Sequence, residues 1–319
     1  MPTTVTVDVA GGVTGGAARF RTEFYNYMRY SPRRDVHVIG DRQRLSPSWL
    51  LRREVASTPR TKRIALNNVG FVAPGGERWT LLRNALHFLS DEEKQELEPS
   101  LMTAIGRQTT IVRLAARRSD VLVVPCSSMA ERVLCVIPSL RSRLVVRPHP
   151  VSADSIPTGH REPAILCPVI FESYKRMRDR VSELLAAMDR CCHPSVRLRV
   201  TADPDELHTG LANHPRVESL GRLSYKEVRI IWGRSKAIFF PTGLESFGYP
   251  LAESRVSGHP VIGLDTPQNR EIAGPALFGF STGDPSSLCD AVTRALSADV
   301  KPDPMPFDPD AYFHWLLAS

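Results

Sequence analysis

The sequence predicts an α/β protein made of two doubly wound, parallel-sheet domains. Three observations carry that expectation. Short, continuous apolar runs such as 121–124 and 261–263 alternate with helical patterns, as expected for strands covered on both faces. The alternation breaks once, at a polar segment over 151–163 containing two Pro and one Gly, and then restarts. The length, 319 residues, suits two domains.

The elements follow in order. Residues 5–9 are β-branched and read as a strand ending in the glycine cluster 11–16. Phe20, Phe24, Tyr27 and Met28 recur at spacings of three and four, which predicts a helix. Strands follow at 36–39 and 63–66, then a long, mostly helical stretch over 77–118, interrupted near Pro99. The run 121–124 is a strand, Ser127 and Ser128 can cap a helix reaching about 137, and 144–146 is a strand closed by Pro148-His149-Pro150. Beyond the linker, strands are predicted at 164–167, 196–200, 237–240, 261–263 and 277–280. Helices fit at 176–190, 224–234, 250–257 and 285–297, and a Pro-rich stretch precedes a short helix at 311–317. The expected division is a domain over 1–150, a second over 163–300, and a tail over 301–319 that packs back on the first. Two such sheets leave a cleft at the carboxyl ends of their strands, where ligands of open α/β sheets bind.

Composition narrows the class. Apolar residues make up 42% and charged residues 24%, as in globular proteins. No apolar run is long enough for a membrane-spanning helix, and the amino terminus lacks the basic flank of a signal peptide, so a cytoplasmic location is expected. The six Cys form no CxxC pair and read as reduced, mostly buried thiols. Only six of the 41 basic residues are Lys, and the net charge is +7. Arg29, Arg33, Arg34, Arg42, Arg44, Arg52, Arg53, Arg113, Arg117, Arg118, Arg141, Arg143 and Arg147 cluster in the first half and suggest a basic surface. Such a surface suits an anionic partner, a nucleic acid or a membrane surface, set against arginine used by codon bias alone.

The most informative segment is 241–254, Pro-Thr-Gly-Leu-Glu-Ser-Phe-Gly-Tyr-Pro-Leu-Ala-Glu-Ser. An apolar strand ends before it. Pro250 suits the first turn of a helix, Gly258 its end, and Pro260 the entry to the next strand. The helix start offers unpaired N–H groups and a positive dipole end to a diphosphate. Glu245 and Glu253 flank that start, and carboxylates are strong acceptors for sugar and ribose hydroxyls. Each Glu taken alone is ordinary: one a loop residue, the other a helix residue.

The arrangement resembles the Glu-x7-Glu signature of glycosyltransferase family 4, and the likeness continues through Ser257-Gly258-His259-Pro260 and Arg270-Glu271-Ile272-Ala273-Gly274 to Gly283-Asp284-Pro285. Ser246 stands where the family usually has Gly. The resemblance implies a GT-B fold, two Rossmann-like domains facing across a cleft, and retaining transfer of a sugar from a nucleoside-diphosphate sugar, UDP favoured. It implies that Glu245 contacts the donor sugar, that Phe247, Gly248, Tyr249, Pro250 and Leu251 line sugar and phosphate, and that Glu253 binds ribose. Lys175 matches the family's diphosphate Lys, whereas its Arg partner falls on Ile170, so Arg176 or Arg178 is the substitute. Gly15 and Gly16 resemble the glycine pair near donor phosphate, with the acceptor held by the N-terminal domain. For the family's N-terminal His, the candidates are His87 and His149, or Asn67-Asn68.

Two alternatives stand beside this reading. The glycine loop breaks G-x-G-x-x-G at Val13, which weighs against a nucleotide-dependent oxidoreductase. The missing Arg leaves room for a catalytically decayed sugar-nucleotide-binding protein. No Asp-x-Asp or His/Cys/carboxylate cluster has metal spacing, so neither a metal nor another cofactor is expected.

Overall fold

A computed structural model of the chain describes residues 4–12, 14–56, 62–95, 97–153, 156, 159–168, 176–207 and 209–318. The chain divides into two compact units. Unit 1 holds Met1–Pro150, Glu245–Phe247 and Asp308–Ser319; unit 2 holds Val151–Leu244 and Gly248–Phe307.

Unit 1 runs β1 (Val5–Asp8), α1 (Gly15–Tyr30), β2 (Val36–Ile39), α2 (Pro47–Ala56), β3 (Lys62–Ala65), β4 (Arg78–Leu81), α3 (Asp91–Gln95), α4 (Pro99–Arg118), β5 (Val121–Val124), α5 (Ser127–Val136) and β6 (Leu144–Val146). Among the described residues its six strands pair in parallel, in the order β2-β1-β3-β4-β5-β6. From β1 the chain moves outward to β2 and then returns to β3 on the other side. The order therefore reverses between β1 and β3, and the crevice that binds ligands in such sheets lies at their carboxyl ends.

Unit 2 runs β7 (Glu162–Cys167), α6 (Met177–Cys191), β8 (Arg197–Val200), α7 (Thr209–Ala212), β9 (Val217–Ser219), α8 (Tyr225–Arg234), β10 (Ser235–Phe239), α9 (Tyr249–Ser257), β11 (Val261–Leu264), α10 (Pro267–Ala273), β12 (Leu277–Phe280) and α11 (Pro285–Ser297). Its parallel sheet has the order β12-β11-β10-β7-β8-β9, so its reversal falls between β7 and β10. Ile165, Leu198, Ile238 and Ile262 are buried in the sheet, with Leu184 and Met188 from α6 and Ala291 and Val292 from α11. The short α12 (Pro309–Leu317) is grouped with unit 1, where Phe313 meets the rings of Phe20, Phe24 and Tyr27 with centroids 5.4–5.6 Å apart. Lys62 Nζ donates to Ala318 O at 2.7 Å and Arg147 Nη2 to Ala311 O at 2.9 Å, which ties both ends of that helix to β3 and to the segment after β6.

Several expectations need correction. The stretch 77–118 is mostly helical, as expected, but it also contains strand β4, whose Arg-Trp-Thr-Leu sequence is too short to show period-2 alternation. The expected break near Pro99 falls between α3 and α4, and Pro99 itself opens α4, where a missing N–H costs nothing. The cap of α5 is Cys126 rather than a serine, since Ser127 is already helical. The helices α2, α7 and α10 and strand β9 escaped the sequence reading; α7, α10 and β9 are each of seven residues or fewer. The cysteines are free, but only Cys126 and Cys167 are buried, because Cys135 faces solvent and the others are half-buried. No described helix is long and apolar enough to cross a membrane.

A minority of the arginines expected on a basic surface are instead structural. Arg53 is fully buried, with Nη1 donating to Asp8 Oδ2 at 2.5 Å and Nη2 to the carbonyls of Val69 and Gly70. Asp8 also accepts from Ala10 N, Trp49 Nε1 and Asn67 Nδ2, so this charge pair is embedded in bonds at the carboxyl end of β1. Such a pair stands because its partners offset desolvation. Arg33 pairs with Asp35, Arg113 donates to His87 O, and Arg143 donates to the carbonyls of Arg117 and Ser119. Arg29, Arg34, Arg42, Arg44, Arg52, Arg117, Arg118 and Arg141 remain exposed, as does Arg143 despite its bonds.

Candidate functional site

In unit 2 the reversal of strand order places two connections at one crevice: the segment after β7 and the loop after β10. The second carries the motif. Gly248 stands at the N-cap of α9 with φ +81°, a conformation that suits glycine. A Cβ there would lie 2.9 Å from Leu251 Cδ1, so the turn also requires the missing side chain. Tyr249 and Pro250 open the helix. Gly248 offers no side-chain cap, and the N-terminal dipole end of α9 is left for other acceptors. At the far end Gly258, φ +67°, closes the helix against Val300 O and Pro302, which leave no room for a Cβ.

Glu253 lies in the second turn of α9 and is 2% exposed. Its Oε1 accepts from Tyr225 Oη at 2.7 Å. Tyr249, Pro250, Leu251 and Ala252 are buried around it, so α9 is a helix with little solvated surface. Two side chains that the sequence did not single out add to this end of the sheet. Thr242, 1% exposed, lies just past β10, and Gln268 opens α10 just past β11. Among the described residues neither Thr242 Oγ1 nor Gln268 Nε2 meets a hydrogen-bond partner. Buried polar atoms left in this state are uncommon. Only the burial of a small polar residue distinguishes them, which the sequence does not display.

Ile170 and Lys175 lie outside the described residues. Arg176 is described: it caps α6 in the left-handed conformation, φ +49°, is exposed, and its Nε donates to Asp179 Oδ2 at 3.2 Å. Arg178 Nε donates to Glu206 O at 2.8 Å. Both candidate substitutes for the diphosphate Arg are thus held by local partners.

Glu245 and Phe247 group with unit 1. There Ser246 Oγ donates to Arg83 O at 2.8 Å, and Phe247 meets His149 edge-on at 5.0 Å. The Ser that replaces the usual Gly therefore makes a bond that Gly would lack. Glu245 is half-buried. Gly15 and Gly16 open α1; Gly15 has φ +57° and open space where a Cβ would be. Arg83 borders the same loop, since a methyl built on Gly12 would sit 3.8 Å from Arg83 Nη2. His149 is buried beside Phe20 as well, and burial with the nearby Arg83 charge pushes its pKa well below the ordinary histidine value, so the imidazole is neutral. His87 is buried, with Nδ1 3.0 Å from Thr109 Oγ1 and Nε2 3.4 Å from Asn84 Nδ2; burial and Arg113 lower its pKa to about 4. Asn67 is occupied by Asp8 and by Val69 N, and Asn68 Oδ1 accepts from Arg83 N. His87 and Asn67 are held by partners elsewhere in the fold, whereas the His149 ring meets Phe247 of the motif. No group of three or more His, Cys, Asp or Glu able to hold a metal occurs among the described residues.

Comparison with known proteins agrees with this architecture. Residues 168–298 match the family described as Glycosyl transferases group 1. A segment of 97 residues is 33% identical to the serotype-specific mannosyltransferase WbdA of Escherichia coli; it spans 29% of this chain but only 12% of that relative. Among solved structures, sucrose-phosphate synthase of Thermosynechococcus elongatus superposes with a TM-score of 0.66 at 14% identity, covering 99% of this chain and 94% of that one. WaaG, a glycosyltransferase involved in lipopolysaccharide biosynthesis, gives 0.66 at 13% identity over 97% and 94% of the two chains. HepE of Anabaena, solved with UDP and glucose, gives 0.65 at 13% identity over 99% and 100%. The chain has the two-domain α/β fold named GT-B, and its match to Glycosyl transferases group 1 lies in the part that carries β8 to β12 and α9.

Proposed function

We propose that this chain is a glycosyltransferase that takes a sugar from a nucleoside-diphosphate sugar, with UDP as the favoured nucleotide and retention of anomeric configuration. The observation that carries the reading is the buried Glu253 carboxylate on a helix whose N-terminus is shaped by Gly248 at the reversal point of the unit 2 sheet. In this reading Glu253 accepts from ribose hydroxyls, and the N-terminal end of α9 faces the diphosphate. Glu245 contacts the transferred sugar. Lys175 and the helix N–H groups stabilise the departing phosphate, whose oxygens help deprotonate the acceptor. Catalysis then rests on orientation and fixed charge, without a protein nucleophile or a metal.

The UDP assignment is supported by the sequence resemblance and by the likeness to HepE, whose structure holds UDP and glucose. For the acceptor, the exposed arginines of unit 1 favour an anionic molecule or one presented on a polyanionic surface. The test is a thermal-shift screen of the purified protein against nucleotide sugars, followed by assay of donor hydrolysis and of the anomeric configuration of the product. Stabilisation by a UDP-sugar with slow hydrolysis supports the reading. Binding without turnover over any acceptor would make it a sugar-nucleotide-binding protein instead.

A further inference from the structure

A buried carboxylate needs donors, and Glu253 takes one from 28 residues earlier in the chain. Tyr225 Oη donates to Glu253 Oε1 at 2.7 Å. Nothing in the 241–254 motif points to this partner. Tyr225 is the first residue of α8, and its position is fixed from several sides. Ser224 Oγ accepts from Glu227 N while the Glu227 carboxylate accepts from Ser224 N at 2.8 Å, a reciprocal cap that pins the helix start. Val228 and Trp232 are buried and hold the inner face of α8. The Arg229 guanidinium lies 5.4 Å from the centroid of the Tyr225 ring. A ring held in this way keeps its hydroxyl where Glu253 needs it.

We propose that Tyr225 is a positioning residue for the nucleoside half of the donor. Its hydroxyl fixes the plane of the Glu253 carboxylate, so that ribose 2′- and 3′-hydroxyls meet an acceptor already oriented. This rests on the reading of Glu253 as the ribose acceptor. The choice of a phenol has a chemical reason. A Lys or Arg at this place would orient the carboxylate but also cancel its charge, whereas a neutral donor leaves Glu253 a charged, strong acceptor for hydroxyls. Groups that hold a ligand-binding side chain in place govern affinity nearly as much as that side chain itself.

The experiment titrates the full chain by calorimetry with UDP, GDP and ADP and with their 2′,3′-dideoxy counterparts, for the natural sequence, Tyr225→Phe and Glu253→Gln, with thermal melting of each. The expected result is that Y225F binds the preferred nucleotide about tenfold more weakly, on the scale of one charge-assisted hydrogen bond. Its affinity for the dideoxy form should equal that of the natural sequence. A Y225F protein that loses both forms equally has only a loosened fold, and the proposal fails. A Y225F protein with unchanged affinity, beside a weakened E253Q, overturns the role of Tyr225 and leaves that of Glu253 standing. Unchanged affinity in E253Q, or no nucleotide bound by the natural sequence, overturns the underlying reading and this proposal with it.

Discussion

Glu253 shows why some site residues are readable and others are not. Its spacing from Glu245 and its place after Gly248 and Pro250 are local, so the sequence displays them. Its bond to Tyr225 spans a helix and a strand and has no sequence signature. Replacing Glu253 by Ala removes a buried acceptor and should weaken nucleotide binding by about 1–3 kcal/mol, measured by calorimetry. Glu245→Ala is expected to act differently. Glu245 is half-buried in a loop and truncation opens no core cavity, so turnover should fall while the melting temperature stays within a degree or two of the natural protein. A fully active Glu245→Ala enzyme would remove that residue from the site. Arg53 marks the opposite limit. In sequence it is one of many arginines; in the structure it is fully buried against Asp8. Arg53→Met should cost about 3–5 kcal/mol in urea unfolding, since Asp8 would stay buried without its cation.

Elements were legible where punctuation and length coincided. Helix α9 is bounded by Gly248, Pro250, Gly258 and Pro260, each at a place that its own stereochemistry dictates, and its bounds are close to those expected. Helix α11 likewise begins at Asp284-Pro285, with Asp284 Oδ1 accepting from Ser286 N and Ser287 N. Strand β4 has no such marks, and α10 spans only seven residues. The loop into α9 is where an element-scale change should be felt most. Gly248→Ala must place a Cβ 2.9 Å from Leu251 Cδ1 at φ +81°. The expected outcome is a loss of about 1–3 kcal/mol in thermal or chemical unfolding, together with weaker nucleotide binding as the helix start shifts. A variant that melts and binds like the natural protein would show that the turn tolerates another conformation.

Across the whole molecule, buried histidines set an acid limit. Burial lowers the pKa of His87 and of His259 to about 4, assisted by Arg113 and Arg161 respectively. In the unfolded chain each takes up a proton near pH 6.5. The folded state binds fewer protons between those values, so stability is present above about pH 6.5 and is lost as pH falls toward 4. Urea midpoints measured from pH 7 to pH 4 should therefore decline, and a flat profile would contradict the neutral, buried state of both rings. Two parallel sheets were legible because their strands are nearly continuous apolar runs. The individual bonds that hold the tail were not legible: Arg147 and Lys62 reach residues near 311 and 318, over separations of 164 and 256 positions.

That tie has a consequence for how the protein is made. During synthesis the whole of residues 151–307 emerges before α12, so unit 2 has its full sheet while Phe20, Phe24 and Tyr27 still lack the cover of Phe313. The segment translated first is thus the one completed later, against the usual amino-to-carboxyl order of domain folding. A purified chain ending at residue 307 should resist protease across unit 2 and be cut readily within 1–150. It should also bind chaperones that recognise exposed aromatic surface, and restoring residues 308–319 should end both behaviours.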